Sequence, residues 1–242
     1  MKALLRLALL TLLMVFALQL YFATRIAMMR VINPESTAFE RSEIWRMTHS
    51  SGSFKWRQQW LDYGKISDNL KKAVIASEDA GFIDHDGVDI DALEKAWEKN
   101  AKAEQRSANS SSKALASRAP KIVGGSTITQ QLAKNLFLSG ERTLLRKGQE
   151  LVLTLMLEGL LSKERILEIY LNNVEWGEGV FGAEAASQRY YRKGAASLSA
   201  YEAARLAVML PRPRYFETRT GSGYLASRAG TITARMGDVE IP

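Results

Sequence analysis

The chain has 242 residues and a formal net charge of +7, which gives room for one sizeable domain and favours anionic partners such as phospholipid headgroups and pyrophosphates. The absence of cysteine from the sequence excludes disulfides, thiolate metal sites and a cysteine nucleophile, and only two histidines argue against a Ser-His-Asp triad or a histidine-rich metal site. No motif with interleaved aromatic residues typical of nucleic-acid binding occurs, so we expect no nucleic-acid partner.

The chain begins with an apolar segment that is long enough to cross a membrane. Leu7 to Thr24 carry no charge and would span about 27 Å as a helix at about 1.5 Å per residue. A cleaved signal peptide usually has a shorter apolar region and a small-x-small site, whereas this segment ends in Tyr-Phe-Ala-Thr-Arg. We therefore predict a cytoplasmic tail (1–6), an uncleaved transmembrane anchor (7–24), a juxtamembrane linker (25–60) and one domain (61–242).

The tryptophans of the predicted linker allow two interpretations. Trp45, Trp56 and Trp60 lie among arginines, which is typical of a segment near lipid headgroups. Packing of the same rings against the domain is an equally simple alternative. The sequence leaves this choice open.

Apolar residues at helical spacing indicate a mainly α-helical domain. The spacing begins near Ile66 and recurs in four later segments: Asp89–Ala103, Leu144–Leu161, Lys163–Asn172 and Tyr201–Leu210. No convincing series of alternating apolar residues indicates strands. Residues 101–120 are rich in Ala and Ser and contain few large apolar side chains, so we expect a mobile insert there.

The stretch from Gly124 to Asn135, GGSTITQQLAKN, is the most informative functional pattern. The glycine pair lets the backbone approach a ligand, and Ser126 or Thr127 can cap a helix that begins near Ile128. A helix N-terminus favours anions, and further donors would come from Gln130, Gln131, Lys134 and Asn135. Such a surface suits a sugar phosphate, although an ordinary capped surface helix is the simpler alternative.

Two acidic positions are candidates for chemistry. Glu78 and Asp79 precede Phe82, and a carboxylate desolvated in such surroundings acquires a raised pKa that suits a general base. A solvated helix end is the alternative. Glu150 begins an apolar segment where a carboxylate is costly to bury, which suggests a functional role. The simpler alternative is that Glu150 forms a structural ion pair with Arg146, four residues earlier.

Five short blocks occur in order along the chain. They are E-D-x-x-F-x-x-H-x-G at 78–87, G-G-S-T-I-T-Q-Q-x-x-K-N at 124–135, R-K-x-x-E at 146–150, I-L-E-x-Y-L-N-x-x-x-x-G-x-G-x-x-G at 166–182 and E-A-A-x-L-A at 202–207. In this order they resemble the monofunctional biosynthetic peptidoglycan transglycosylases, whose domain is shared with class A penicillin-binding proteins. The family usually has a small apolar residue where Thr154 stands, a difference that removes no residue needed for the chemistry.

The resemblance implies a lysozyme-like helical fold and an enzyme that polymerises lipid II into linear β-1,4 glycan with inversion and release of polyprenyl pyrophosphate. It implies two catalytic carboxylates, Glu78 as general base and Glu150 in a second role. Three roles stay open for Glu150: to orient cations, to stabilise oxocarbenium-like charge, or to recruit a divalent ion such as magnesium. The implied substrate-binding residues are Ser126, Gln130, Lys134, Asn135 and Arg142.

The resemblance also implies where the protein works and with what. Its partners would be lipid II, the growing lipid-linked glycan chain and the membrane, with other cell-wall synthesis or division proteins as candidates. Apart from the divalent ion considered above, no cofactor or metal site is expected. The location would be the bacterial inner membrane, crossed once, with the catalytic domain on the periplasmic side.

Three other functions fit parts of the sequence. A lytic peptidoglycan glycosidase on a related fold could also use one glutamate, but it does not require cations that face a pyrophosphate. A penicillin-binding transpeptidase is suggested by S-x-x-K at 110–113, S-D-N at 67–69 and an approximate K-T-G at 219–221, although the first two stand in the wrong order. A non-enzymatic membrane scaffold is the third alternative.

Overall fold

The structure is a computed structural model that describes residues 1–50, 54–108, 125–141 and 143–242, and for residues 106–108 the backbone alone. Within these ranges the α-helices are α1 (Lys2–Met28), α2 (Ala38–His49), α3 (Asp68–Glu78), α4 (Ile90–Ala108), α5 (Ile128–Phe137), α6 (Leu144–Leu160), α7 (Lys163–Asn173), α8 (Ala183–Tyr191), α9 (Ala200–Met209), α10 (Pro213–Glu217) and α11 (Gly223–Arg235). The strands are β1 (Arg57–Gln58), β2 (Glu175–Gly177) and β3 (Val180–Phe181).

Helix α3 lies in the core and ends at the first functional block. Leu70, Ala73 and Val74 are fully buried, and the helix packs against α9, which in turn packs against α11. Ser67 Oγ accepts a hydrogen bond of 3.2 Å from the Asn69 N–H and so caps the start of the helix. Because the helix ends at Glu78, this residue stands where the chain leaves the core.

A second group of helices packs beside the first. Helix α5 contacts α2, α6 and α7, and its apolar residues Leu132 and Leu136 are buried together with Leu153 of α6. Because α5 is amphipathic, the burial of this apolar face leaves polar side chains of the same helix free to line a cleft.

The three strands form a small sheet in the order β1-β3-β2. β1 is parallel to β3, with Arg57 opposite Val180, and β2 is antiparallel to β3. Gly179 has a φ of +69°, and a Cβ added there would lie 1.8 Å from the Lys55 carbonyl oxygen. The absence of a side chain at Gly179 therefore allows residues 55–58 to approach β3 this closely.

The first helix has the length and composition of a membrane span, and its end packs on the domain. α1 has 27 residues and a mean hydropathy of 2.2 over its most apolar window. Its side chains are largely exposed as far as Tyr21, whereas Ile26 is fully buried. The last turns of α1 contact α6.

The tryptophans after the anchor divide between the two interpretations. Trp56 stacks on Phe181, with ring centroids 4.5 Å apart, and Arg165 lies 5.4 Å from the centroid of Trp60. Trp45 is 67% exposed. Two of the three rings therefore pack against the domain, and the position of the domain boundary near residue 61 stays a prediction.

The mainly α-helical fold predicted from the sequence is confirmed, with two differences. The short sheet was not predicted, because strands of two or three residues are too short to produce a visible alternation. The helix after Asp89 continues to Ala108, so the first residues of the expected insert 101–120 are helical. Residues 109–120 of that insert lie outside the described residues.

Candidate active site

The polar stretch before α5 folds as a capped helix start. Thr127 Oγ1 accepts a hydrogen bond of 3.1 Å from the Gln130 N–H, and Gln130 Oε1 accepts one of 3.2 Å from the Thr127 N–H, which completes a capping box. Thr127 Oγ1 also donates to the Gly87 carbonyl oxygen at 2.7 Å. Of the two predicted caps, Thr127 is therefore the one used, and Ser126 is exposed just before it.

Asp79 fixes this helix start to the end of α3. Its Oδ2 accepts a hydrogen bond of 2.9 Å from the N–H of Ile128, the first residue of α5, where a negative charge is favourable. Its Oδ1 lies 2.9 Å from Nε2 of His85. Nδ1 of His85 accepts from the Gly87 N–H at 3.0 Å, so the network places the imidazole proton on Nε2, which donates to Asp79.

The loop around Gly87 is pressed against α6. Gly87 has a φ of +88°, and a Cβ added there would lie 2.7 Å from Cγ2 of Thr154 and 2.9 Å from Cγ of Glu158. Glu158 Oε1 accepts hydrogen bonds from Thr129 Oγ1 at 2.6 Å and from Lys163 Nζ at 2.9 Å. Thr154 and Glu158 therefore support the loop.

Glu78 lies at the C-terminal end of α3 in a partly buried position. Its Oε2 accepts a hydrogen bond of 3.1 Å from Nε2 of Gln131, and its Oε1 one of 3.3 Å from Ser77 Oγ. Burial raises the pKa of the Glu78 carboxyl, and the charge of Asp79 raises it further, while the hydrogen bond from Gln131 opposes this shift. A carboxylate whose pKa is raised towards the working pH is suited to accept a proton.

Glu78 opens into one of two adjoining clefts. This first cleft has a volume of about 590 Å³ and is lined by Glu78, Ser126 and, across the opening on α4, Lys95 and Lys99. The second cleft, of about 540 Å³, is lined by residues that include Ser126, Gln130, Gln131, Lys134, Asn135, Arg146, Lys147 and Glu150. Ser126 borders both clefts, so a ligand that extends past it can touch both sets of residues.

The second cleft is lined by three cations and two buried carboxylates. Glu150 is only 4% exposed; its Oε2 lies 3.3 Å from Nη1 of Arg146, and its Oε1 contacts Nζ of Lys147. Lys134 lines the same cleft from α5. Because three cations, Lys134, Arg146 and Lys147, line this cleft against two buried carboxylates, Glu150 and Glu175, positive charge is in excess and an anionic group is favoured there.

The carboxylate of Glu150 does not fit a divalent cation in this arrangement. Both of its oxygens are engaged by Arg146 and Lys147, whereas magnesium needs several free oxygen ligands. Among the described residues, no group of three or more His, Asp or Glu side chains converges to hold a metal. The geometry therefore supports the first of the three open roles of Glu150, the orientation of cations.

Comparison with known proteins adds the decisive observation. The family model described as transglycosylase matches residues 46–237. The chain belongs to the transglycosylase family. This match confirms the family resemblance, the mainly α-helical lysozyme-like fold and the glycosyltransferase activity that the sequence predicts.

Individual members of this transglycosylase family cover almost the whole chain. A biosynthetic peptidoglycan transglycosylase of Burkholderia pseudomallei is 54% identical over 93% of this chain and 82% of its own length. The biosynthetic peptidoglycan transglycosylase of Burkholderia multivorans is 53% identical over 93% of this chain and 86% of its own length. That of Herminiimonas arsenicoxydans is 51% identical over 100% of this chain and 98% of its own length. The similarity therefore includes the apolar N-terminal helix in at least one relative.

The structure brings most of the predicted site residues of this transglycosylase together. Glu78 lines the first cleft, and Ser126 borders both clefts. The second cleft contains Gln130, Lys134, Asn135 and Glu150. Arg142 lies outside the described residues.

Two contacts in the clefts were missed by sequence reasoning, which named Gln131 only as a donor on the helix after Thr127. Gln131 donates to Glu78 and accepts a hydrogen bond of 3.0 Å from the Tyr170 hydroxyl, so it links the two clefts to the core. Lys147 contacts Glu150. The second residue was visible as part of R-K-x-x-E, whereas the pairing of Gln131 with a residue 53 positions away gave no local signal.

The residues that suggested a transpeptidase have structural roles where they are described. Ser67 caps α3, and Asn69 Nδ2 donates to the Leu198 carbonyl oxygen at 2.9 Å. Arg219 lies 4.2 Å from the ring centroid of Tyr215. The S-x-x-K residues 110–113 lie outside the described part of the chain.

Proposed function

We propose that this transglycosylase polymerises lipid II into linear β-1,4 glycan strands. The observation that carries the proposal is the placement of a partly buried carboxylate, Glu78, in a cleft that adjoins a second cleft lined by Lys134, Lys147 and Arg146. Such an arrangement supplies a proton acceptor on one side and charge stabilisation on the other. The names of the relatives, which are biosynthetic peptidoglycan transglycosylases, support the same substrate class.

In the proposed reaction Glu78 is the general base for the acceptor sugar. Its carboxylate takes the proton of the acceptor 4-hydroxyl while that oxygen attacks the anomeric carbon of the donor. A sugar hydroxyl is only weakly acidic, so proton removal has to accompany attack, and the base must be held in place beforehand. The hydrogen bonds from Gln131 and Ser77 to Glu78 support this positioning.

The leaving group in the proposed reaction is the polyprenyl pyrophosphate of the donor. As the glycosidic bond to phosphate breaks, the pyrophosphate takes the electron pair, and cations in a partly dry cleft stabilise the developing charge. Lys134 and Arg142 are proposed to contact the phosphates, and Ser126, Gln130 and Asn135 the sugar or phosphate oxygens. Glu150 would hold Arg146 and Lys147 in position, as its contacts with both suggest.

Attack from the side opposite the departing pyrophosphate inverts the anomeric centre. An α-linked donor is thereby converted into a β-linked product, and the proton ends on Glu78 while the lipid pyrophosphate is released. The two adjoining clefts on either side of Ser126 support a reaction in which the nucleophile and the leaving group lie on opposite sides of one sugar ring.

The proposed location is the bacterial inner membrane. The helix Lys2–Met28 is long and apolar enough to cross a membrane. Leu144 and Leu145, at the start of α6, are exposed bulky apolar side chains. Because both substrates would be lipid-linked, the domain has to stay close to the outer surface of that membrane. We place the tail 1–6 in the cytoplasm and the domain on the periplasmic side, where other cell-wall synthesis or division proteins are candidate partners.

The test is turnover of purified lipid II by the full chain in detergent or lipid vesicles. The wild-type protein is expected to form glycan polymer and release polyprenyl pyrophosphate. The Glu78→Gln variant is expected to be about 10²- to 10⁴-fold less active. Glu164→Gln, an exposed glutamate of α7 outside both clefts, is the matched control and should remain active.

The rival functions give different results in the same assay. A lytic glycosidase would degrade polymeric peptidoglycan and leave lipid II unchanged, whereas the proposed synthase consumes only lipid II. A membrane scaffold would show no turnover, and Glu78→Gln would not differ from wild type. Either result would overturn the proposal.

A further inference from the structure

Two amide side chains join the anchor helix to α6. Gln19 lies within the uncharged segment Leu7–Thr24, and Gln149 lies on α6 directly before Glu150. Nε2 of Gln19 donates to Oε1 of Gln149 at 2.9 Å, and Nε2 of Gln149 donates to Oε1 of Gln19 at 3.1 Å. Both side chains are partly buried, so each amide satisfies the other in apolar surroundings.

The same face of α1 makes three further contacts with the domain. Phe22 meets Phe137 edge to face, with centroids 5.3 Å apart, and Arg25 lies 5.5 Å from the centroid of the same ring. Ile26 is fully buried. Positions 19, 22 and 26 lie on one side of a helix, so the amide pair belongs to a continuous docking face.

The first turn of α6 is largely exposed. Leu144 and Leu145 are 92% and 89% exposed, and a Cβ added to Gly148 would have no atom of the described residues within 4 Å. Burial on this helix begins at Glu150 and continues with Leu153. The Gln19–Gln149 pair is therefore a restraint on the turn that carries Lys147 and Glu150, in addition to the packing of α5 on α6.

We propose that Gln19 is a positioning residue for the active site. Through Gln149 it fixes the rotation of the first half of α6, and thereby the placement of Lys147 and Glu150 in the second cleft. The anchor helix is then part of the catalytic unit in addition to holding it at a membrane. This inference rests on the proposed function, because its effect is read as a change in the rate of glycan formation.

The first test compares full-length variants in lipid vesicles with lipid II as substrate. Gln19→Leu and Gln149→Leu are each expected to lower kcat by about tenfold, because a small displacement of groups that act on the transition state costs rate. KM for lipid II should change far less, since Lys134 and Asn135 are untouched. The double variant should be no slower than either single one, as expected for residues that act as a pair.

The matched control is Thr24→Val. Thr24 is an exposed residue of the same helix, and its hydroxyl donates to the Leu20 carbonyl oxygen of that helix at 2.8 Å, so its loss should leave kcat unchanged. Membrane recovery of every variant is measured alongside, because simple loss of anchoring would lower the amount of bound enzyme without lowering kcat.

A rescue experiment uses the absence of natural cysteines from the sequence. The Gln19→Cys, Gln149→Cys double variant is expected to be slow, and a short bifunctional thiol reagent that joins the two positions should restore most of kcat. Each single cysteine variant treated with the same reagent should stay slow.

The outcomes separate this inference from the proposed function. If wild type makes glycan and Gln19→Leu matches its kcat, or if the losses of the two leucine variants add, the positioning role is wrong. If neither the wild-type protein nor the Glu78→Gln variant makes glycan from lipid II, the proposed function itself is wrong.

Discussion

Glu78 and Asp79 are adjacent in sequence and have different surroundings. Asp79 is buried and accepts hydrogen bonds from the Ile128 N–H and from His85, which compensate its negative charge. Among the described residues, Glu78 accepts hydrogen bonds from two side chains, and burial raises its pKa. Two neighbouring carboxylates can therefore serve as a structural acceptor and as a proposed base because their environments differ.

Replacement of Glu78 by glutamine is expected to stabilise the protein at neutral pH. Because burial raises the pKa of Glu78 in the folded state, its contribution to stability is fully present below the unfolded-state pKa and is lost as the pH rises through the folded-state pKa. Because glutamine does not ionise, Glu78→Gln removes this loss of stability and should raise the thermal midpoint at neutral pH by about 2–4 °C. The difference should disappear at acidic pH; a lower midpoint for the variant at neutral pH would contradict the burial argument.

Gln131 is expected to tune the proton affinity of Glu78. Its hydrogen bond lowers the pKa of Glu78 against the effect of burial, so Gln131→Leu should raise that pKa. The acid limb of the activity profile should then move to higher pH, with a loss of about tenfold at neutral pH. The measurement is kcat/KM against pH for wild type and variant; an unchanged acid limb would show that Gln131 does not act on the base.

At the level of elements, the start of α5 depends on a single carboxylate. Asp79→Asn keeps one acceptor oxygen but turns an NH2 group towards a donor, the Ile128 N–H or the His85 Nε2–H. The expected loss is about 2–3 kcal/mol in the free energy of unfolding, measured by denaturant or thermal unfolding. Asp84→Asn, at an exposed position of the same loop, is the control and should change stability by less than about 0.5 kcal/mol.

The helices were predictable because each carries its own signals. α9 starts after Ser199, whose capping box with Glu202 can be read from the sequence, and α6 was predicted to within one residue of its observed end. The sheet was not predictable, because its pairing joins Arg57 with Val180 across more than half of the chain. The same limit applies to Gln131, whose partner Glu78 belongs to another element.

At the level of the whole molecule, an ionic network joins the segment after the anchor to the rim of the second cleft. Arg214 of α10 lies 2.5 Å from Glu43 of α2 and 2.8 Å from Glu175 of β2. Arg46 continues the network from Glu43 to Glu178, with both distances 2.8 Å. Because Glu175 also lines the second cleft, the network holds that rim against α2.

Removal of the central cation is expected to destabilise this junction. Arg214→Met would leave Glu43 and Glu175, both largely buried, without their shared partner. The expected cost is about 2 kcal/mol in the free energy of unfolding. This is less than for a fully buried pair because the Arg214 side chain is 36% exposed. Arg212→Met, an exposed arginine two residues earlier, is the control for thermal unfolding at neutral pH. Equal midpoints for the two variants would show that the network adds nothing.

The parallel pairing of β1 with β3 also determines where a soluble form of the enzyme can start. β1 covers one edge of β3, and Trp56 covers the ring of Phe181. A truncated protein that begins at Thr37 keeps α2 and this edge strand, whereas one that begins at residue 61 uncovers an unpaired backbone edge next to an aromatic surface. Uncovered edges of that kind promote aggregation, so water-soluble versions should retain the segment from Thr37 onwards.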